Sequence, residues 1–343
     1  MTVAFPTRRV GQTSLRLPVL GFGTAPLGGM FQAVDGTEGA ATLAQALDAG
    51  MTYVDTAPFY GFGLSERRVG DGLRGQSHVL STKVGRLLAP GMTPAAAAMG
   101  WPEPLPFHPV FDYSYDAIMR SFEASLHRLG LEKIDILYVH DIGEVTHGEN
   151  AQKHFREMAQ GGYRALDELR RAGHVTAIGL GVNEAQVCLD ALNVGDWDIF
   201  LLAGRYTLLE QDPLDDLLPQ CVERSISLVI GGPFNSGILV GGDTWNYDAA
   251  PDTVRAKVRR LEAVCGEYGV PLPAAALQFP LAHEAVTSVL PGLRNRQELA
   301  DALAWAKHPI PPQLWQTLKD QGLLHPNAPT PPSSLSPYLS PAP

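Results

Sequence analysis

Cysteine is scarce in this 343-residue chain: Cys188, Cys221 and Cys265 are odd in number and show no regular spacing. That excludes a disulfide-built scaffold and points to a reducing compartment. Positive charge is also short, with 26 Lys and Arg against 36 Asp and Glu and a formal net charge of −10. With no basic stripe to offset it, such a surface repels nucleic acid. No uninterrupted apolar run reaches the roughly 18 residues a membrane span needs. The first residues, MTVAFPTRRVGQ, lack the apolar stretch of a secretory leader. A soluble, cytoplasmic protein is expected. What the chain does have is core material: 45% of residues are hydrophobic, and the mean hydropathy is −0.02. Its length suits one large α/β barrel or two ordinary domains.

Short β-branched runs alternate with amphipathic segments along most of the sequence. Strands are expected at Val19–Thr24, Thr52–Asp55, Val79–Lys83, Ile134–His140, Thr176–Gly181, Ile199–Ala203, Ser227–Gly231 and Thr287–Pro291. Helices are expected near 38–49, 65–73, 115–129, 162–172, 184–193, 213–224, 253–268 and 296–307. Glycine follows Ala49, Leu129 and Ala172, where a left-handed residue ends a helix. The strands read as continuous apolar runs, as strands covered on both faces should. Eight strand–helix units without a change of composition predict a single (β/α)8 barrel over residues 1–325. A doubly wound sheet with a cap domain is compatible with the same alternation.

Two segments depart from it. Residues 87–112, rich in Pro, Ala and aromatics, form a long loop after the third strand, at the barrel end where catalytic barrels carry their sites. Trp101, Phe107 and Phe111 either line a substrate mouth there or simply bury the loop. Residues 326–343 form a Pro- and Ser-rich tail expected to be disordered.

Asp55, Tyr60, Lys83 and His140 each end or follow a predicted strand, so a barrel would gather them on one rim. A tyrosine, with a pKa of about 10, exchanges protons poorly at neutral pH. A buried ammonium beside it favours phenolate, a carboxylate can hold that ammonium charged, and a histidine can fix a substrate oxygen.

These residues sit in motifs that resemble the aldo-keto reductase superfamily: Asp55-Thr56-Ala57-Pro58-Phe59-Tyr60-Gly61 with Ser65-Glu66, Ser81-Thr82-Lys83, and Tyr138-Val139-His140-Asp141. The resemblance runs from about Gly11 to about Ala304. Tyr113-Ser114-Tyr115-Asp116, Gly179-Leu180-Gly181-Val182-Asn183-Glu184 and the run from Leu202 to Gln211 are most similar to the D-threo-aldose 1-dehydrogenase and L-fucose dehydrogenase branch, which includes pyridoxal 4-dehydrogenase. The resemblance implies a (β/α)8 barrel, NAD as cofactor (or NADP), and Tyr60 as the proton-transfer group. It also implies that Asn183 holds the nicotinamide carboxamide, although the usual Ser-Asn pair is here Val182-Asn183. Tyr206 is implied to stack on the nicotinamide, and the family's glutamine three residues earlier is Ala203. Gly232, Pro233, Phe234, Ser236, Gly237 and Leu239 resemble the pyrophosphate segment, where small residues let backbone N–H groups approach an anion. Pro291, Gly292, Arg294 and Glu298 resemble the segment that binds the adenosine end, with Glu298 where NADP-dependent relatives carry a basic residue.

The reaction this implies is oxidation of a cyclic aldose of the L-fucose or D-arabinose type, or a similar hemiacetal, at its anomeric hydroxyl to a lactone. Reduction of aldehydes or ketones with NADPH, and oxidation of pyridoxal, use the same four residues. A metal-dependent barrel hydrolase or isomerase and a non-catalytic cofactor-binding subunit are rivals from other classes. Gly179-x-Gly181 imitates the start of a dinucleotide fingerprint but lacks its third glycine. His140, Asp141, Glu144, His147, Glu149 and His154 lack metal-ligand spacing and read as a solvated polar loop, so no metal is expected. The expected partner is a small sugar or hemiacetal, with no membrane or nucleic acid. Nothing in the sequence sets an oligomeric state.

Overall fold

The eight apolar runs pair in parallel, each beside its neighbour in sequence. The computed structural model describes residues 5–332. Its barrel strands are β1 (Phe22–Gly23), β2 (Tyr53–Asp55), β3 (Val79–Val84), β4 (Ile136–His140), β5 (Ala177–Val182), β6 (Ile199–Ala203), β7 (Ser227–Gly231) and β8 (Val286–Leu290). The ring closes where Leu20 lies opposite Val289 and Gly23 opposite Gly292. There Gly21 N–H donates to Val289 O at 3.0 Å and Val289 N–H to Val19 O at 2.9 Å. Closure excludes the doubly wound sheet and leaves the (β/α)8 barrel.

The surrounding helices are α1 (Gly36–Asp48), α2 (Leu64–Leu73), α3 (Tyr115–Leu129), α4 (Tyr163–Arg171), α5 (Ala185–Ala191), α6 (Leu217–Glu223), α7 (Asp252–Glu267), α8 (Leu272–Gln278), α9 (Arg296–Lys307) and α10 (Pro312–Asp320). Their ends follow local chemistry. Asp35 caps α1 by accepting from Thr37 and Glu38 N–H, and Ser114 caps α3, which Gly130 ends at φ 62°.

A hairpin of Thr7–Arg9 against Arg16–Pro18 brings the buried Val10 and Leu17 against Tyr53, Ile136, Tyr138, Ala177, Ile199, Leu201, Val229 and Leu290. The two strand glycines that imitate a nucleotide fingerprint have a packing reason. A Cβ on Gly179 would lie 1.5 Å from Ile199 O, and one on Gly181 would lie 3.1 Å from Lys83 Cε. The second glycine therefore leaves room for the lysine stem.

The long loop after β3 is partly ordered into an antiparallel hairpin, Arg86–Pro90 against Phe107–Phe111. At the other end, Leu323, Leu324 and Ala328 belong to the main core and Pro331 is buried, so packed chain continues beyond residue 325. The tail expected to be disordered otherwise lies, from 333 to 343, outside the described residues.

Candidate active site

Asp55 and His140 are the last residues of β2 and β4, and Lys83 lies one residue from the end of β3. Tyr60 sits in the turn that feeds α2. The turn is tight: a Cβ on Gly61 would lie 2.3 Å from Gly28 O. Ser65, at the start of α2, anchors it by donating to Thr24 O at 3.0 Å, and the buried Glu66 accepts from Thr82 Oγ1 at 2.7 Å. The four residues drawn from separate motifs thus converge.

Lys83 is 1% exposed. Its Nζ donates to Asp55 Oδ2 at 2.6 Å, to Thr56 O at 3.0 Å and to Tyr60 OH at 3.1 Å. Asp55 Oδ1 accepts from Ser81 Oγ at 2.7 Å, and Ser81 is bonded to Tyr53 OH, which meets Tyr138 OH, each at 3.1 Å. A buried polar column thus runs inside the barrel to Asp55, so the carboxylate gives up water without being left unsatisfied. Burial still pushes the Asp55 carboxyl up, opposed by Lys83. The Tyr60 phenol lies well above its ordinary value, because burial and the Asp55 and Asp141 carboxylates disfavour phenolate against the opposing pull of Arg86. Burial is the largest cause of that rise, and the Lys83 ammonium is shared between Asp55 at 2.6 Å and the phenol at 3.1 Å. Burial, Arg86 and Lys83 hold His140 well below the usual histidine range, so the ring is neutral at pH 7.

Arg86, which no sequence motif singles out, and Asp141, expected in a solvated polar loop, complete the rim. Arg86 Nη2 donates to Asp141 Oδ2 at 2.7 Å, with its guanidinium 4.4 Å from the Phe59 ring centre. Asp141 Oδ1 accepts from Asn183 Nδ2 at 2.9 Å, and its Oδ2 lies 3.4 Å from His140 Nε2. The run from His140 to His154 is therefore not simply a solvated loop. His147 and His154 have ring centres 4.5 Å apart, and His147 Nε2 lies 2.9 Å from Tyr113 OH, which donates to His140 O at 2.8 Å. Burial and His154 push His147 down to about 4. Among the described residues, no group of three His, Cys, Asp or Glu side chains could hold a metal ion.

Aromatic rings surround the rim. Trp101 is 1% exposed and lies with its centroid 5.9 Å from Tyr60 and 5.7 Å from Phe59. It buries the loop and backs the tyrosine rather than facing an open mouth. Phe107 packs in the same cluster, whereas Phe111 is exposed and edges onto His147 at 4.9 Å. Phe31 and Tyr247, 6.4 Å apart, are each 48% exposed. Tyr247 sits at the tip of a small hairpin (Thr244–Trp245 with Asp248–Ala249) and donates to Asn183 Oδ1 at 3.2 Å.

The implied cofactor lining divides. Asn183 stands at the rim, while two residues need correction. Tyr206 is 0% exposed: its left-handed backbone, φ 54°, accompanies a ring packed at 5.5 Å from both Phe279 and His283, so no face is left for a nicotinamide. Leu239 is wholly buried in the core and its N–H is bonded to Phe234 O, which removes it from the phosphate lining. Beside them the loops after β6 and β7 leave open space. Ala203, Gly204, Gly231 and Gly232 form a shelf of small residues, and a Cβ on Gly204 would find only Asn235 Nδ2, at 4.0 Å. Gly232, Asn235, Ser236 and Gly237 all have left-handed backbones, and the N–H groups of Asn235 and Gly237 are bonded within the turn, to Gly232 O and Phe234 O at 3.0 Å. Pro233 is buried beneath them and Phe234 edges onto Trp305 at 5.6 Å. Pro291 and Gly292 carry the strand end past β1. At the loop that follows, Glu298 accepts from Arg294 N at 2.8 Å and from Arg294 Nε at 3.1 Å, and Glu38 pairs with Arg296 at 2.9 Å.

Comparison with known proteins agrees with this geometry. Residues 19–321 match the sequence model of the aldo/keto reductase family. The chain is 46% identical over 335 residues to a pyridoxal 4-dehydrogenase of Microbacterium luteolum, covering 92% of this chain and 97% of that one. It is 37% identical over 325 residues to a D-threo-aldose 1-dehydrogenase of a Pseudomonas species, covering 90% and 95%. An aldo-keto reductase of Bacillus halodurans in its holo form superposes with a TM-score of 0.72 at 23% identity, covering 92% of this chain and 96% of that one. The latter likeness speaks for the fold.

Proposed function

Since the chain belongs to the aldo/keto reductase family and is an NAD(P)-dependent oxidoreductase, we propose that it oxidises a small cyclic hemiacetal at its hydroxyl-bearing carbon to the lactone. The observation that carries this reading is the triple hydrogen bond of Lys83 Nζ to Asp55, Thr56 O and Tyr60. A phenol bonded to a buried ammonium is built to take and return one proton. Tyr60, as phenolate, removes the hydroxyl proton; Lys83 steadies the phenolate oxygen; Asp55 keeps Lys83 charged. His140, neutral, holds the reacting oxygen through its N–H. A bound nicotinamide would supply the acceptor for the hydride leaving the same carbon. Asn183 would hold its carboxamide, the turn from Gly232 to Gly237 its phosphates, and Arg294 with Glu298 the adenosine end.

The exposed rings of Phe31, Phe111 and Tyr247 favour a flat ring, because aromatic faces gain from another planar surface. Pyridoxal, whose aldehyde closes to a cyclic hemiacetal, has that shape, and the 46% identity to a pyridoxal 4-dehydrogenase supports it. An aldose of the L-fucose or D-arabinose type is the second reading, supported by the 37% identity to an aldose dehydrogenase. Both Arg294 and Arg296 are occupied by carboxylates, which favours NAD, since neither is free to grip a 2′-phosphate. Initial rates at 340 nm for pyridoxal and a set of aldoses, each with NAD and with NADP, test the reading. Reduction of open-chain aldehydes outpacing every hemiacetal oxidation by tenfold in kcat/KM would overturn it.

A further inference from the structure

We propose that Asp141 is the positioning residue that fixes the orientations of His140 and Asn183 together, and so registers the substrate oxygen against the nicotinamide. The proposal rests on the cofactor and substrate reading above. An ionised carboxylate only accepts hydrogen bonds. Its Oδ1 takes Asn183 Nδ2 at 2.9 Å, which leaves Asn183 Oδ1 turned away from it, where Tyr247 OH now donates at 3.2 Å. A carboxamide N–H of a bound nicotinamide needs that same acceptor. The Asp141 Oδ2 lies 3.4 Å from His140 Nε2, so a proton on Nε2 sits beside an anion. His140 Nδ1 is buried without a partner, so nothing on the opposite side of the ring competes.

The carboxylate is itself held. Arg86 Nη2 grips Oδ2 at 2.7 Å, and the guanidinium lies 4.4 Å from the Phe59 centroid and 5.6 Å from that of Phe111. Asp141 N–H donates to Gly181 O at 2.9 Å, tying the residue to β5 beside Asn183. Its backbone is left-handed, φ 35°, a conformation that Asp and Asn tolerate better than other side chains. This backbone places the carboxylate between β4 and β5 instead of letting it follow the strand alternation.

Asp141→Asn is the informative variant, because Asn keeps the shape and accepts the left-handed backbone while losing the charge. Groups facing Tyr60 are Asp55 from β2, Lys83 from β3, Arg86 from the following hairpin, His140 and Asp141 from β4 and its end, and Tyr247 from the small hairpin. Of these, Asp141→Asn removes one anion and leaves the Arg86 cation unpaired, and both changes favour phenolate. With full-length protein, the variant is expected to bind NADH about tenfold more weakly, as for loss of one well-placed hydrogen bond. ADP-ribose, which lacks the nicotinamide, should bind within about twofold of wild type. The apparent pKa for oxidation should move down by about one pH unit. Asn183→Ala should show the same NADH-selective loss, and the double variant should lose less than the sum.

Equal weakening of NADH and ADP-ribose, or no weakening, with an unmoved pH profile, overturns the proposal and leaves Asp141 a structural partner of Arg86. If the Asp141→Asn chain does not fold, absence of a NADH-selective loss in Asn183→Ala overturns it as well. A wild-type protein that binds NADH yet oxidises no hemiacetal refutes the functional reading, while the two binding measurements still decide the role of Asp141.

Discussion

Replacing Lys83 with methionine tests the proton-transfer account at its centre. The variant keeps the length of the stem that passes Gly181 but removes the charge. At the observed 3.1 Å between Lys83 Nζ and Tyr60 OH, a unit charge and a phenolate attract by about 1.3 kcal/mol in the dielectric of water and about 5 kcal/mol at an effective dielectric of 20. At about 1.4 kcal/mol per pH unit, that corresponds to about one to four units of phenol pKa. Asp55, 2.6 Å from the same ammonium, cancels part of the attraction, so the lower end is expected. The phenol already lies high, and loss of the cation moves it further up. The sign for oxidation follows: phenolate is the active form, so the rate rises with pH, and the whole profile moves to higher pH by at least about one unit. Rate at a fixed pH on the rising limb falls about tenfold for each such unit. Asp55→Asn, which removes an anion that holds the phenol up, should move the profile the other way. The assay is kcat against pH for NAD-linked oxidation, with NADH binding measured alongside. An unmoved profile in Lys83→Met, with only a lower Tm or a higher KM, would make Lys83 a structural cation.

Tyr60→Phe removes the exchanging proton and keeps the ring, so turnover should fall by at least about 10²-fold while NADH affinity stays within about twofold; a rate above a tenth of wild type would remove Tyr60 from the mechanism. Glu298→Gln with Glu38→Gln frees Arg294 and Arg296, so the NADP-to-NAD ratio of kcat/KM should rise roughly tenfold, as for one new charge-assisted hydrogen bond; an unchanged ratio would place both arginines away from the ribose. Gly179→Ala drives a Cβ to 1.5 Å from Ile199 O, so the chain should fail to accumulate in folded form, whereas Gly266→Ala, with open space around it in α7, should be stabilising by about 0.5–1 kcal/mol in thermal unfolding followed by circular dichroism.

The strands were legible because each is covered on both faces and therefore reads as an unbroken apolar run; β6 and β7 match their expected limits. Helices with a glycine stop or a polar face, such as α3, were equally legible. The sequence reading missed α8 because its segment, LPAAALQ, is buried nearly all round and has no polar face to mark a period. It missed α10 because proline precedes and opens it. The gathering of Asp55, Tyr60, Lys83 and His140 was readable from motif and strand position, since a barrel puts strand ends on one rim. Tyr206 misled for a physical reason: an aromatic after a barrel strand can turn outward or inward, and only its left-handed backbone and the neighbouring Phe279 and His283 turn it inward. Arg86 and Asp141 were hidden because their pairing joins β3 to β4 across 55 residues, a register that composition cannot give.

Deuterium placed on the hydroxyl-bearing carbon of the pyridoxal hemiacetal gives the most direct test of the central claim. Incubated with wild-type protein and NAD, it should yield the lactone and NADH in equal amounts, with the deuterium carried into the reduced nicotinamide. The Tyr60→Phe protein should form neither product. Lactone without labelled NADH, or labelled NADH formed as fast by Tyr60→Phe as by wild type, would contradict hydride transfer driven by proton removal at Tyr60.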